Sequence, residues 1–113
     1  MKLGLRRSDF FNRDFDLQHR WYLENASEEV ARRYLEAVLL TLSTLAAQPG
    51  MGRARFFRHP ELRGLRSFPL RSPFHVHLLF YRLTDEELFA ERILHGMRDL
   101  PRRLLEPPGS SEQ

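Results

Sequence analysis

Work on a phosphate or a carboxylate needs cations to hold the charge. The middle of this chain concentrates them. Residues 49–83 carry seven Arg, at 53, 55, 58, 63, 66, 71 and 82, against the single acid Glu61, a net charge of +6. Arg presents a planar fork of donors that fits either anion in bidentate fashion. Arg66 and Arg71 are candidate anion clamps, and Arg92 and Arg98 flank the end of the last predicted strand. His95 has the right side chain for proton transfer near neutral pH. Glu61 is a second candidate base, and Tyr81 a candidate to orient a phosphate or stack on a base. Each also has a structural reading. His95 follows the apolar pair Ile93-Leu94 and suits a hydrogen-bonding role. Tyr81 sits in an apolar run and suits a core, and Glu61 suits pairing with a nearby Arg. His75 and His77 share one side of a predicted strand, but no third ligand sits at a matching position, so no metal and no cofactor are expected. The absence of Cys removes thiolate zinc sites, disulfides and a cysteine nucleophile.

The Arg-rich segment lies inside an otherwise balanced chain. Residues 1–48 hold seven basic and seven acidic side chains, and residues 84–113 hold four Arg against seven acids. Lys2 is the only Lys, so coding bias accounts for the choice of Arg over Lys but not for its clustering. A length of 113 residues suits one domain. The longest apolar stretches, Val38–Leu40 and Leu78–Tyr81, are far too short to span a bilayer. The opening MKLGLRRSDFF lacks the apolar region of a secretory signal, so a cytoplasmic protein with no membrane association is expected.

The elements that must position these residues follow from periodicity. Residues 2–7 read as a short strand, and Ser8 or Asp9 as a helix cap. From Phe10 to about Asn25, Phe11, Phe15, Gln18 and Tyr22 form one helical stripe with Leu17 and Trp21 beside it. Ser27 caps a second helix whose first turn holds Glu28 and Glu29, matched to the helix dipole. Its stripe is Ala31, Tyr34 or Leu35, Val38, Leu42 and Leu45, and Pro49-Gly50 ends it. A strand follows near 62–71, where Pro69 calls for an edge or a bulge. Two β-rich runs, 75–83 and 88–97, flank the turn Thr84-Asp85-Glu86-Glu87 as a hairpin. Residues 99–106 allow a last helical turn. The predicted fold is α+β, a compact β-α-α-β-β-β unit over 1–106 with a helical hairpin packed on a small, mainly antiparallel sheet. Residues 107–113 have the composition of a disordered tail. Phe15, Leu42 and Phe80 are expected in one core, with the other sheet face partly open and lined with Arg.

These residues carry a family resemblance. Asp14-Phe15 and Tyr22, Ala31 through Leu45, then Pro49-Gly50-Met51-Gly52-Arg53 and Leu62-Arg63-Gly64-Leu65-Arg66-Ser67 come first. Leu79-Phe80-Tyr81-Arg82, Thr84-Asp85 and Arg92-Ile93-Leu94-His95-Gly96-Met97-Arg98-Asp99-Leu100 follow. In this order, over about residues 5 to 105, the chain resembles toxins of the RelE/ParE superfamily in type II toxin–antitoxin systems, closest to the ParE branch. The resemblance implies the α+β fold, a small acidic antitoxin as partner in a hetero-oligomer, and roles such as plasmid stabilisation or stress response. It also implies one of two targets. ParE-like members block DNA gyrase; RelE-like members are metal-independent endoribonucleases that cut mRNA in the ribosome.

The enzymatic branch makes chemical demands. A 2′-hydroxyl attacks the neighbouring phosphate, so the site needs a base, an acid for the leaving oxygen and cations for the pentavalent intermediate. His95, Glu61 and Arg98 would be that set. Ribonuclease relatives usually carry a Tyr or His-Tyr pair near the end of the last strand and a Lys-rich catalytic face. Here the ending is His95-Gly96-Met97-Arg98-Asp99, and only Phe89 follows Tyr81 among aromatics. The ParE-like reading is therefore favoured: a non-enzymatic inhibitor whose contacts are Arg66, Arg71, Tyr81, Arg92 and Arg98.

Overall fold

A computed structural model describes residues 3–110 of the chain. The elements run β1 (Gly4–Arg7), α1 (Asp9–Asn25), α2 (Glu28–Ala47), β2 (Arg53–Ala54), β3 (Arg66–Pro69), β4 (His77–Leu83), β5 (Glu87–His95) and α3 (Leu100–Leu105). Single 3-10 turns sit at Pro49–Met51 and Pro60–Leu62. The sheet order is β1-β5-β4-β3-β2. β1 runs parallel to β5, and the other three pairings are antiparallel. The expected α+β architecture is thus present, with the two-residue β2 added at one edge and the last helical turn extended into α3.

Local chemistry explains the helix boundaries. Ser8 Oγ accepts the Phe11 N–H at 2.9 Å, and Ser27 Oγ accepts the Val30 N–H at 3.1 Å. Each satisfies one orphan donor of a first turn. α2 stops at Gln48, because the residue before a proline is pushed out of helical conformation. Its buried stripe is Ala31, Tyr34, Ala37, Val38, Thr41, Leu42, Leu45 and Ala46. Between the two residues the sequence left open, Tyr34 is the buried one and Leu35 stays at the surface.

The sheet has a core on each face. On the helical side, Phe11, Tyr34, Val38, Leu42, Leu45, Leu79, Tyr81, Leu88, Ala90 and Ile93 pack together, with Phe15 and Tyr22 partly buried against them. On the opposite side, Leu62, Leu65, Leu78, Phe80, Leu94, Leu100 and Leu104 form a second cluster. Two expectations are corrected here. Phe80 does not share a core with Leu42 and Phe15, because alternation along β4 sends Leu79 and Phe80 to opposite faces. Nor is the second face an open, Arg-lined surface: α3 and the Pro60–Leu62 turn cover it. β4 is accordingly buried without a break from His77 to Tyr81.

A bulge in β5 makes this two-sided packing work. Phe80 pairs with Arg92 and Tyr81 with Ala90, so Glu91 is the extra residue. The insertion flips the alternation, which places both Ala90 and Ile93 in the helical-side core. The tail expected from residue 107 begins as a turn, with the Ser110 N–H on Pro107 O at 3.2 Å. Residues 111–113, like Met1 and Lys2 of the first predicted strand, lie outside the described residues.

Candidate functional site

The second half of α1 and the corner between β5 and α3 enclose an open cleft of about 380 Å³. Gln18 and Trp21 line one wall, and His95, Arg98 and Arg102 line the other. Trp21 is 53% exposed, a large indole presented to solvent rather than to the core. The corner is tightly turned. Gly96 has φ +80 and Asp99 has φ +55, both in the left-handed region that disfavours ordinary side chains. Arg103 braces it by donating to His95 O at 2.8 Å and Arg98 O at 3.0 Å. His95 and Arg98 are themselves exposed at the rim.

Beneath the cleft lies a histidine that sequence reasoning left without a role. His77 is buried, 2.8 Å from the Tyr22 hydroxyl. Its ring centroid is 5.1 Å from that of His95. Burial, and then the charge of His95, pull the His77 pKa down to about 4, so it is neutral near pH 7. His75 is exposed, and among the described residues no group of three His, Cys, Asp or Glu is arranged to hold a metal ion.

Two of the predicted contact residues are interior. Arg92 is buried and makes a bidentate pair with Asp14, at 2.7 and 3.0 Å. Its remaining nitrogen donates to the carbonyls of Arg103, Leu104 and Glu106 at 3.1, 3.2 and 2.7 Å. Asp14 also accepts the Ile93 N–H at 3.0 Å. Burial raises the Asp14 carboxyl against the pull of Arg92 and that N–H. Arg92 therefore ties α3 and α1 to the sheet, and is not a surface contact. Tyr81 is likewise fully buried. Its hydroxyl donates to Pro49 O at 2.7 Å and accepts the Gly52 N–H at 2.9 Å. A Cβ on Gly52 would overlap the Tyr81 hydroxyl and ring. The Pro49-Gly50-Met51-Gly52 motif is thus a docking point for the tyrosine. The one sequence cue for the Arg92 role was the Asp14-Phe15 pair in the resemblance, which carried no assigned function.

The remaining candidates are not gathered at one place. His95 pairs across the sheet with His77. Glu61 is held at the other end, where its carbonyl accepts from Arg82 and its N–H donates to His59 Nδ1. His77 and Arg82 are five residues apart on one strand, roughly 16 Å at 3.3 Å per residue. Arg66 is half-buried at that far end of β3, and Arg71 is exposed just past the near end. One site thus holds His95 and Arg98, with Glu61 and Arg66 elsewhere.

Most of the chain resembles known toxins. A family model, ParE toxin of the type II toxin–antitoxin system parDE, matches residues 5–100. The chain belongs to the ParE toxin family. Among solved structures, the chromosomal ParDE toxin–antitoxin system of P. aeruginosa superposes with a TM-score of 0.68 and 19% identity. That match covers 85% of this chain and 98% of the other, and shows the shared fold. A point mutant of E. coli YafQ aligns over 88% of this chain and 98% of its own, at 18% identity and a TM-score of 0.45. No curated protein sequence matches. As a ParE-family member of a type II system, the protein has an antitoxin as its implied partner. Among the described residues no helix is long and apolar enough to cross a membrane.

Proposed function

We propose that this ParE-family toxin acts as a non-enzymatic inhibitor of DNA gyrase, and that its antitoxin silences it. The observation that supports this reading is the separation of His95 from Glu61 by the length of β4. An acid and a base must each come within about 3 Å of the atoms they serve on one phosphodiester, and groups held at opposite ends of β4 do not converge in that way. His77, whose ring centroid lies 5.1 Å from that of His95, is neutral and enclosed. The cleft offers a different kind of surface: an exposed indole, a histidine rim, and the guanidiniums of Arg98 and Arg102. Such a set suits a protein contact, where Trp and Arg anchors dominate the binding energy.

The deciding experiment sets a gyrase supercoiling assay beside a ribosome-dependent mRNA cleavage assay with the same preparation. Supercoiling is expected to be inhibited, with no cleavage. Arg98→Ala and Trp21→Ala should weaken inhibition in graded fashion while circular dichroism stays unchanged, and His95→Gln should be mild. Ribosome-dependent cleavage by the wild type that is abolished in a folded His95→Gln variant would replace this reading with the endoribonuclease one.

A further inference from the structure

The chain between β2 and β3 is a pinned loop. The Arg55 N–H donates to Leu65 O at 2.9 Å, one residue beyond the β2–β3 pairing, and closes the excursion 56–64 at its base. Phe57 and Leu62 anchor it from inside, packed in the cluster on the α3 side. Arg82, on β4, donates to the carbonyls of Glu61 and Arg63. His59 Nδ1 accepts the Glu61 N–H at 3.1 Å within the turn. The loop backbone is thus fixed at its base, its interior and its far turn, and the side chains it presents outward are fixed with it.

Those side chains are an aromatic ring among cations. Phe57 turns inward, so its neighbour Phe56 turns outward and is 93% exposed. Arg53, Arg58 and Arg63 are exposed around it. Residues 53–64 hold four Arg and one acid, Glu61. Among the described residues no carboxylate pairs with Arg53, Arg58 or Arg63. The fourth, Arg55, is used internally: it donates to Ser67 Oγ at 3.2 Å, and its guanidinium lies 5.5 Å from the Phe57 ring centre. Burial, and then the Arg53 charge, holds the Arg55 pKa below its usual value. A lone exposed aromatic is ordinary. One held between guanidiniums that no acid neutralises gains nothing from folding, since the ring is not buried and the cations repel. The loop is also remote from the cleft, because Arg82 sets it at the end of β4 opposite His77 and His95.

We propose that this loop binds a nucleic-acid strand, with Phe56 stacked on a base and Arg53, Arg58 and Arg63 on the phosphates. The inference goes beyond the gyrase reading and does not depend on it. Nucleic acid is the polyanion in which every charge comes with a flat π-face. Arg forks fit the phosphate oxygens, and an exposed ring stacks on any base or wedges between two. An anionic lipid surface would satisfy the same cations, but insertion needs a whole apolar face, and here the second aromatic is turned into the core.

The test is fluorescence anisotropy of the full chain with one labelled 20-nucleotide sequence, as single-stranded DNA, duplex DNA and single-stranded RNA, across a salt series. The oligonucleotide that binds tightest identifies the source of the strand. With three Arg on phosphates, log Kd should change against log salt with a slope of roughly 2.7 on duplex and roughly 2.1 on single strands. Arg58→Gln should make that slope shallower by about one phosphate contact. Phe56→Ala should weaken binding at least about fivefold at every salt concentration and leave the slope unchanged. Phe56→Trp should keep the affinity. Both positions are exposed, so circular dichroism and the denaturation midpoint should match the wild type. Wild-type affinity in Phe56→Ala would reduce the loop to a patch of charge and overturn the proposal. An unchanged slope in Arg58→Gln would overturn it as well, as would binding to phosphatidylglycerol vesicles with none to any oligonucleotide at 50 mM salt. Supercoiling inhibition is read separately: its failure would sink the gyrase reading and leave oligonucleotide binding standing.

Discussion

Replacing Arg92 by Met tests whether this residue is a structural tie or a target contact. The guanidinium makes two hydrogen bonds to Asp14 and three to the carbonyls that end α3. Met roughly fills the stem volume but supplies no donor. The Asp14 carboxylate is then left buried and unpaired apart from the Ile93 N–H. Breaking one partner of a buried pair costs about 3–5 kcal/mol, because the other charge stays desolvated. The three carbonyls add to this only so far as water cannot reach them, at about 1 kcal/mol each. A loss of about 4 kcal/mol would be a large share of a stability of roughly 5–15 kcal/mol. For a domain of this size it corresponds to a fall in melting temperature of about 15–20 °C. The assay is urea denaturation of wild type, Arg92→Met, Asp14→Leu and the double variant. Each single change should lower the midpoint strongly. The double variant should recover part of the loss, since it removes both charges together. An Arg92→Met protein with an unchanged midpoint and lost toxicity would refute the argument, and would return Arg92 to the target surface.

Gly52→Ala should destabilise by about 1–3 kcal/mol, since the added carbon meets the Tyr81 hydroxyl and ring; an unchanged denaturation midpoint would count against the Tyr81 docking point. Leu42→Ala and Phe80→Ala should cost roughly 2–5 and 3–5 kcal/mol. Because the two residues lie in separate cores, the double variant should show their sum to within about 0.5 kcal/mol in a denaturation cycle. The depressed pKa of His77 predicts acid sensitivity. Above about pH 6.5 neither the folded nor the unfolded state protonates it. Between there and about pH 4 only the unfolded state does, so stability falls as pH drops, by up to about 1.4 kcal/mol per unit. His77→Gln should flatten that slope in denaturation curves taken across the range, whereas an unaltered slope would show that other groups set it.

The sequence alone settled the parts of this protein that depend on neighbours along the chain. Both helix starts were readable because Ser8 and Ser27 satisfy donors only three residues away. The hairpin was readable because a polar turn separates two β-rich runs; for Pro69 the missing N–H called for an edge or a bulge, and the fold places it beyond the two residues of β3 that β2 covers. The family was readable as well, because its motifs keep their order over most of the chain. The tertiary structure decided everything that depends on which face a side chain takes and what comes to meet it. The bulge at Glu91 shifts β5 by one residue, and no local pattern marks where that shift falls. Alternation along β4 sends Phe80 to the α3 side of the sheet, and only the fold shows that α3 comes to cover that side. Arg92 and Tyr81 look like surface chemistry in sequence because Arg and Tyr often are. Their partners, Asp14 and Gly52, lie 78 and 29 residues away. Burial of an Arg becomes affordable only when a carboxylate and three carbonyls converge on it, and convergence of that kind is a property of the folded chain. The same holds for His95 and Glu61: strand pairing sets His95 beside His77, while Arg82 holds the Glu61 turn at the other end of β4.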